Sequence, residues 1–365
     1  MFKTLFEDFS PANHIEIWLI IAFILSLVLA YRTFPTILYV AKQRNLMDVP
    51  DVRSIHSNNT PTLGGIGIFL SLIVVMTIVG AFLNTKVLLL VMGGLTILFF
   101  LGLKDDLTVL SATKKFAGQI LASGLLIIFT DTRIISFSTI LDIDVLPYWV
   151  SITFTMFVYV LIINAFNLID GVDGLAGTFA LAVSGLFVYF FVIENDLSLA
   201  TIAIALCGAL IAFLKLNFSK SNKIFMGDTG SLIVGFLLAF FTISFINIAQ
   251  SDDQSIYYRD APALAFALLF FPLADTFRIF FIRIFIHKAN PFKPDKNHIH
   301  HRFLDIGFTH LQTTLIIVII NLVIIIIAFN LTHLKLNHQI FLLLIYGSFL
   351  YLSPFLIRKR TSKDI

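Results

Sequence analysis

The sequence predicts an all-α integral membrane protein with about 11 transmembrane helices, a periplasmic N-terminus and a cytoplasmic C-terminus. Of its 365 residues, 58% are hydrophobic and only 13% are charged, roughly half the charge that is usual in a soluble domain. Long apolar runs also alternate with short polar segments, and a helix needs about 20 apolar residues to cross the hydrocarbon core. Both observations favour a membrane protein over a large soluble core.

None of the apolar runs shows the alternation that is typical of barrel strands. The first run is too long for a signal peptide and lacks a small-residue cleavage site, so we expect a retained helix. No repeat, low-complexity tract or soluble insertion is visible, so residues 1–365 are expected to form one polytopic domain. The expected spans cover residues 15–34, 65–83, 86–103, 116–130, 148–166, 175–193, 198–214, 229–249, 262–286, 313–331 and 339–357.

The positive-inside rule orients these spans. Between and after them, 18 Lys and Arg residues fall on one side of the membrane and only five on the other. The richer side is therefore predicted to be cytoplasmic, in a multi-pass protein of the cell (inner) membrane. The net charge of +3 is small, and no nucleic-acid partner is expected. The single cysteine, Cys207, excludes a disulfide framework and a cysteine-based metal site.

Chemically suggestive residues collect in the predicted cytoplasmic loops. The segment GLKDDLTVLSATKKF contains Asp105 and Asp106 at the end of the third expected helix. Adjacent residues on a helix point about 100° apart, so the two carboxylates are expected to have separate roles. An acidic pair at a helix C-terminus also opposes the macrodipole, which favours a bound cation or nearby lysines over a simple solvated end.

A second acidic segment reads NAFNLIDGVDGLAG and has no Lys or Arg. Asn164, Asn167, Asp170 and Asp173 recur at three-residue spacing, so they share a face if the segment is helical. Polar groups are costly at a membrane boundary, and no neutralising partner is visible nearby in the sequence. A ligand site is therefore favoured over a structural role.

Two glycine-rich segments allow both a functional and a structural interpretation. In KIFMGDTGSL, Asp228 is expected at the N-cap of the eighth helix, which is an ordinary place for Asp. The upstream Lys215, Lys220 and Lys223 also suit a helix terminus that binds phosphate beside a metal. At the start of the second helix, Gly64, Gly65 and Gly67 could expose N–H groups to a phosphate or allow close helix packing.

The longest cytoplasmic loop, HKANPFKPDKNHIHHRF, is basic and rich in histidine. Its His298, His300, His301 and Arg302 lie near Lys288, Lys293 and Lys296. A diphosphate ligand is favoured over zinc, because the surrounding cations disfavour a metal and no Cys accompanies the histidines. Within the ninth expected span, Asp275 and Arg278 form an i,i+3 pair, which is either functional or simply self-neutralising.

Aspartates without cysteine favour a hard cation, Mg²⁺ with Mn²⁺ as a possible substitute. Mg²⁺ usually bridges carboxylates to substrate phosphates, and the clustered cations indicate an anionic substrate. A site at the boundary between cytosol and membrane suits one water-soluble and one lipid substrate. These residues therefore predict phosphoryl-type transfer to or from a lipid.

The segments DDLTVLS, NAFNLIDGVDGLAG, FMGDTGSL and the HIHH loop, in this order, resemble the polyprenyl-phosphate N-acetylhexosamine-1-phosphate transferases, the MraY/WecA/TagO-like glycosyltransferase 4 family. The resemblance covers about residues 35–310. The histidine loop is similar to the WecA-like branch, because Ile299 interrupts the three consecutive histidines usual in the MraY branch. The resemblance implies UDP-N-acetylglucosamine as donor, undecaprenyl phosphate as acceptor, UMP as leaving group and Mg²⁺ as cofactor.

The resemblance also implies roles for individual residues. Asp228 would be a principal Mg²⁺ ligand with Asp106 close to the metal, and Asp105 would position or deprotonate the acceptor phosphate. Asp105, Asp106 and His298 would be the catalytic residues, and the others would bind substrate. Phe225 would line the uracil pocket, Asn167 and Asp170 would contact the nucleotide, and Asp173 would complete the acidic site. His298, and more weakly His300, His301 and Arg302, would hold the diphosphate or sugar.

Several alternatives stay open at this point. Within the class, the rival is transfer of phospho-N-acetylmuramoyl-pentapeptide in peptidoglycan synthesis. Outside the class, the rival is a flippase for polyprenyl-linked sugars, which would need a polar path across the membrane. The resemblance makes a homodimer possible. Direct attack by the acceptor phosphate is preferred over an aspartyl-phosphate intermediate, because a phosphate monoester has its second pKa near 6.

Overall fold

The computed structural model describes residues 14–44, 46–47, 60–83, 85–137, 145–251, 255, 257, 259–288 and 298–357. The regular elements in these ranges are α-helices and one π-helix, Ile282–Ile286. The α-helices are α1 Ile15–Gln43, α2 Gly64–Gly80, α3 Thr85–Leu107, α4 Ala112–Thr130, α5 Tyr148–Ile169, α6 Leu175–Ile193, α7 Leu197–Asn217, α8 Gly227–Ser251, α9 Ala261–Leu268, α10 Phe270–Phe281, α11 Ile299–Ile306, α12 His310–Asn330 and α13 Leu336–Leu356.

The predicted class is confirmed: the fold is an all-helical, multi-pass membrane protein. Within the described ranges, nine helices are long and apolar enough to cross a membrane, namely α1, α3 to α8, α12 and α13. A bent pair, α9 with α10, raises the number to ten. The 17-residue α2 covers the expected span 65–83 but is shorter than these, so length and composition support nine to ten spans.

The expected span 262–286 is a broken helix. Its two parts, α9 and the segment Phe270–Ile286 formed by α10 and the π-helix, meet at an angle of 71° around Leu269. Pro272 lacks an N–H and its ring excludes the carbonyl of Leu268, which explains the break. Asn321 of α12 spans the gap: its Oδ1 accepts the N–H of Phe271 and its Nδ2 donates to the Leu268 carbonyl. The freed backbone groups are thus satisfied inside the membrane.

Helix α8 lies at the centre of the bundle and packs against α2, α3, α5 and α6. Its aromatic side chains, including Phe236, Phe240 and Phe241, are buried. At its N-terminal end it approaches α2 so closely that a Cβ on Gly65 would lie 2.2 Å from the Gly230 nitrogen. This packing fixes the start of α8 among α2, α3 and α5, where the acidic segments end.

Candidate active site

Asp106 holds the N-terminus of α8. Its Oδ1 accepts the N–H of Asp228 at 2.7 Å, and its Oδ2 accepts the N–H of Thr229 at 3.0 Å and the Thr229 hydroxyl at 2.5 Å. A carboxylate here satisfies free N–H groups and complements the helix dipole. The prediction that Asp228 is the N-cap is therefore wrong: α8 begins at Gly227, and Asp106 of α3 caps it.

Asp228 lies in the first turn of α8, where side chains from two other helices meet it. Lys115 of α4 donates to its Oδ2 at 2.8 Å, and Asn167 of α5 donates to its Oδ1 at 2.7 Å. The same Lys115 ammonium forms an ion pair with Asp105. One cation thus lies between two carboxylates, which the structure brings together from residues 123 apart in sequence.

Asp105 and Asp106 point in different directions, as their adjacency on a helix predicts. Asp105 is buried, and its Oδ1 accepts the N–H of Leu110 at 2.6 Å, while its other oxygen faces Lys115. Asp106 instead faces the start of α8. Only Asp105 therefore shares a counter-ion with Asp228.

A hydrogen bond between two amide side chains joins α4 and α5, the helices whose side chains bind Asp228. Asn164 of α5 donates to the side-chain carbonyl of Gln119 of α4 at 2.7 Å. Gln119 is four residues after Lys115, and Asn164 is three before Asn167, so each pair shares a helix face. The buried amide contact therefore sets the positions of both residues that bind Asp228. Sequence analysis missed Gln119, because a single Gln in an apolar run carries no signal.

The acidic segment 164–173 is helical only in its first part. Helix α5 ends at Ile169, so Asp170 and Asp173 do not continue the face of Asn164 and Asn167. No hydrogen bond or ion pair joins the Asp170 carboxylate to any residue that the structure describes. Burial raises the pKa of Asp170 well above its ordinary value, and the negative charges of Asp228, Asp106 and Asp173 raise it further.

Asp173 has partners that are distant in sequence. Lys223 donates to its Oδ2 at 2.6 Å, and Nδ1 of His310 lies 2.9 Å from the same oxygen. Burial alone would raise the pKa of Asp173, but hydrogen bonds from His310 and Lys223 lower it below its ordinary value. The Lys223 ammonium also lies 5.3 Å from the centre of the Phe225 ring. Asp173 therefore connects the acidic segment to the expected uracil pocket.

The glycines at the start of α2 pack against the chain before α8. Gly64 and Gly65 donate their N–H groups to the carbonyls of Phe225 and Met226 at 2.9 and 3.0 Å. These groups are already used, so the packing interpretation is confirmed and the phosphate-facing one is wrong for them. Gly227 follows with a φ of 70°, where a Cβ would also overlap the Thr62 carbonyl.

The histidine loop packs onto the acidic segment. His300 is 3% exposed, and its Nε2 would lie 2.7 Å from a Cβ on Gly171. Burial lowers the pKa of His300 to about 3, so this ring is neutral at physiological pH. The His301 ring lies 4.5 Å from the His300 ring. Arg302 turns away from the aspartates and donates to the carbonyl of Ile357 at 2.5 Å.

The Asp275–Arg278 pair exists, but it is part of a larger network. Arg278 Nη2 lies 3.3 Å from Asp275 Oδ1, while Nδ1 of His298 lies only 2.7 Å from Asp275 Oδ2. The Tyr351 hydroxyl donates to Asp275 at 2.6 Å. His298, the first residue of the expected HIHH motif, is therefore fixed by a carboxylate inside the ninth span. Lys293 and Lys296 of this loop lie outside the described residues.

Comparison with known proteins identifies the family. Residues 88–246 match the family described as Glycosyl transferase family 4. A decaprenyl-phosphate N-acetylglucosaminephosphotransferase from Mycobacterium tuberculosis (strain ATCC 25618 / H37Rv) is 30% identical over 316 residues, covering 80% of this chain and 76% of the relative. The chain belongs to glycosyl transferase family 4.

Two further relatives of this family 4 protein carry related names. A probable undecaprenyl-phosphate N-acetylglucosaminyl 1-phosphate transferase from Bacillus subtilis (strain 168) is 29% identical over 307 residues, covering 84% of this chain and 82% of the relative. An undecaprenyl-phosphate alpha-N-acetylglucosaminyl 1-phosphate transferase from Escherichia coli (strain K12) is 29% identical over 287 residues, covering 76% of this chain and 74% of the relative. At family level, the chain is therefore a membrane enzyme that transfers a sugar 1-phosphate to a polyprenyl phosphate.

The family 4 site fits a divalent cation that is shared with substrate. Among the described residues, no group of three His, Cys, Asp or Glu side chains could hold a metal by itself. Mg²⁺ usually binds through one or two carboxylates and takes its other ligands from phosphates and water. Asp228 and Asp170 are carboxylates of this kind. Asp170 lies near the negative charges of Asp228, Asp106 and Asp173, and no hydrogen bond or ion pair to a described residue stabilises its own carboxylate.

Proposed function

We propose that this family 4 enzyme transfers N-acetylglucosamine 1-phosphate from UDP-N-acetylglucosamine to undecaprenyl phosphate, releasing UMP. The product would begin the synthesis of a cell-envelope polysaccharide. One observation carries the proposal: Asp228 at the start of α8 lies where Lys115 and Asn167 converge, with Asp105 on the same lysine. The names of the relatives from B. subtilis and E. coli support the sugar and the lipid.

On the donor side, Phe225 and Lys223 would bind the uracil nucleotide, with Asp173 holding Lys223 above the ring. Asn167 would act indirectly, because its Nδ2 already donates to Asp228 and to Ser231. Asp228 and Asp170 would hold Mg²⁺, or Mn²⁺ in its place. The bound cation would supply positive charge to the diphosphate while UMP leaves.

On the acceptor side, Lys115 and Asp105 would orient the lipid phosphate. A phosphate monoester is largely dianionic at pH 7, because its second pKa is near 6. Its oxygen would bond to the β-phosphorus of the donor as the bond from that phosphorus to the UMP oxygen breaks. Little help from a base is then needed, so Asp105 has a positioning role. A phosphorylated Asp105 or Asp106 trapped by single-turnover quenching would contradict this direct route.

A transfer assay with a panel of UDP-sugars tests the substrate. Purified protein, undecaprenyl phosphate and Mg²⁺ are incubated with each donor, and the lipid product is identified by mass spectrometry. We expect undecaprenyl-diphospho-N-acetylglucosamine as the main product. A clear preference for the UDP-muramoyl-pentapeptide, or for another N-acetylhexosamine, would contradict the proposed donor. An exchange of the lipid for its decaprenyl homologue tests the acceptor in the same assay.

We also propose that the acidic site faces the cytoplasm, with the N-terminus periplasmic, because Lys and Arg concentrate on that side. Val109 lies beside the site and is 97% exposed, whereas Trp149 begins the opposite end of α5 and is 75% exposed. Cys207 is buried and is replaced by Ser to give a background without thiols. In intact cells, a membrane-impermeant maleimide should label a Trp149→Cys variant and spare a Val109→Cys variant. The reverse pattern would invert the proposed orientation.

A further inference from the structure

We infer that Asp275 and Tyr351 are positioning residues that set the tautomer and orientation of His298 for the transfer reaction. The effect on catalysis rests on the proposed function, whereas the hydrogen-bond network around His298 does not. All three residues lie outside the segment 88–246 that matches the family. Asp275 lies in α10, Tyr351 lies in α13, and His298 is the residue before α11.

Asp275 contacts the His298 ring and the backbone of the next residue. Its Oδ2 lies 2.7 Å from Nδ1 of the His298 ring, and its Oδ1 accepts the N–H of Ile299 at 3.1 Å. Ile299 is the first residue of α11, so one carboxylate both caps this helix and holds the ring just before it. His298 itself makes no side-chain hydrogen bond as a cap. One carboxylate thus binds the ring at Nδ1 and fixes the backbone beside it, which restricts the orientation of the ring.

Asp275 is held in turn by the last helix. The carboxylate is 1% exposed, and the Tyr351 hydroxyl of α13 donates to its Oδ1 at 2.6 Å. Arg278 Nε donates to the same hydroxyl oxygen at 2.7 Å. A hydrogen-bonded chain therefore runs from Arg278 through Tyr351 to Asp275 and then to His298. Such contacts offset the cost of a buried carboxylate and fix its orientation.

The contact determines which nitrogen of His298 carries the proton. An ionised carboxylate only accepts hydrogen bonds, so Nδ1 must donate to Asp275. Nε2 has no hydrogen-bond partner among the residues that the structure describes, and it is the nitrogen available to a substrate oxygen. A purely structural network would tie α10, α11 and α13 together without any need for this tautomer. The two interpretations therefore differ in what a tautomer change does.

Asp275→Asn tests the tautomer with little change in shape. The amide group can donate to Nδ1, which would move the proton of the neutral ring to Nε2. We expect kcat to fall roughly 10- to 100-fold, as for other residues that orient a histidine, with KM for the UDP-sugar changed by less than about 3-fold. Asp260→Asn is the matched control, since Asp260 binds Gln339 elsewhere in the fold; its kcat should equal that of the wild type.

Tyr351→Phe keeps the carboxylate and removes only the hydroxyl that holds it. Tyr159→Phe is a close control, because the Tyr159 hydroxyl is buried in α5 without a hydrogen-bond partner among the described residues. We expect a several-fold lower kcat for Tyr351→Phe and an unchanged kcat for Tyr159→Phe. This pair keeps the inference testable if Asp275→Asn fails to fold.

A spectroscopic measurement separates the inference from the proposed function. Nitrogen-15 NMR of histidine-labelled protein in nanodiscs should show a ring signal with a proton on Nδ1 that disappears in His298→Gln and loses that proton in Asp275→Asn. A His298 ring without a proton on Nδ1 in the wild type would overturn the inference, whatever the enzyme transfers. So would wild-type kcat in both Asp275→Asn and Tyr351→Phe. Failure of the wild type with every donor would instead refute the proposed function alone.

Discussion

Replacing Asp228 by Asn is expected to lower sugar 1-phosphate transfer roughly 10³-fold, because the proposed Mg²⁺ ligand would lose its negative charge. Asn has the same shape and keeps an oxygen that can accept from Asn167 or Lys115. Lys115 also retains Asp105 as a counter-ion. The loss should therefore appear in kcat and in the Mg²⁺ dependence, with little effect on the thermal stability.

The measurement is UMP release by purified protein over a range of Mg²⁺ concentrations, with thermal unfolding of the same samples in detergent. Asp131→Asn serves as a control, since Asp131 pairs with Arg133 on an exposed surface between α4 and α5. It should leave turnover and the Mg²⁺ requirement unchanged. Turnover of Asp228→Asn within tenfold of the wild type would remove Asp228 from the metal site.

Replacing Asp106 by Ala should destabilise the protein as well as inactivate it. The change removes the acceptor of two N–H groups and one hydroxyl at the start of the central helix α8. Buried donors that lose their acceptor cost about 1–3 kcal/mol each, so three of them predict a loss of at least about 3 kcal/mol in the free energy of unfolding. Displacement of α8 would also move Asp228 and so reduce transfer.

Asp106→Asn is the matched comparison, because its amide oxygen can still accept one of these hydrogen bonds. Its unfolding temperature should lie between those of Asp106→Ala and the wild type. The comparison with Asp228→Asn distinguishes a helix cap from a metal ligand at Asp106, because only loss of the cap should lower the stability. If Asp106→Ala kept wild-type stability and changed only the Mg²⁺ requirement, Asp106 would be a metal ligand, as the family resemblance implies, rather than the cap of α8.

The apolar helices could be predicted from the sequence because they depend on local composition, whereas the orientation in the membrane stays a prediction. Hydropathy located each apolar helix to within a few residues at most ends. The bend before Pro272 was not predicted, because a Pro can also lie within a continuous membrane helix. Asn321, which satisfies the broken backbone, comes from a helix about 50 residues later.

The partners in the site were much harder to predict than its acidic residues. No neutralising partner for the acidic segment was visible nearby in the sequence, yet Lys223 and His310 contact Asp173 from 50 and 137 residues away. Asp275 was paired with Arg278 because that contact is visible at i,i+3, whereas its shorter contacts to His298 and Tyr351 depend on the packing of three helices. Long-range pairing of this kind leaves no periodic signal in one sequence.

The identity of the released nucleotide distinguishes transfer of a sugar 1-phosphate from transfer of the sugar alone. Purified wild-type protein is supplied with UDP-N-acetylglucosamine, undecaprenyl phosphate and Mg²⁺, and the nucleotide and lipid products are quantified together. We expect one UMP for every lipid-diphosphate-linked sugar formed, because the bond that breaks joins the two donor phosphates. Release of UDP with a lipid monophosphate product would show that the sugar moves without its phosphate, and would contradict the proposed reaction.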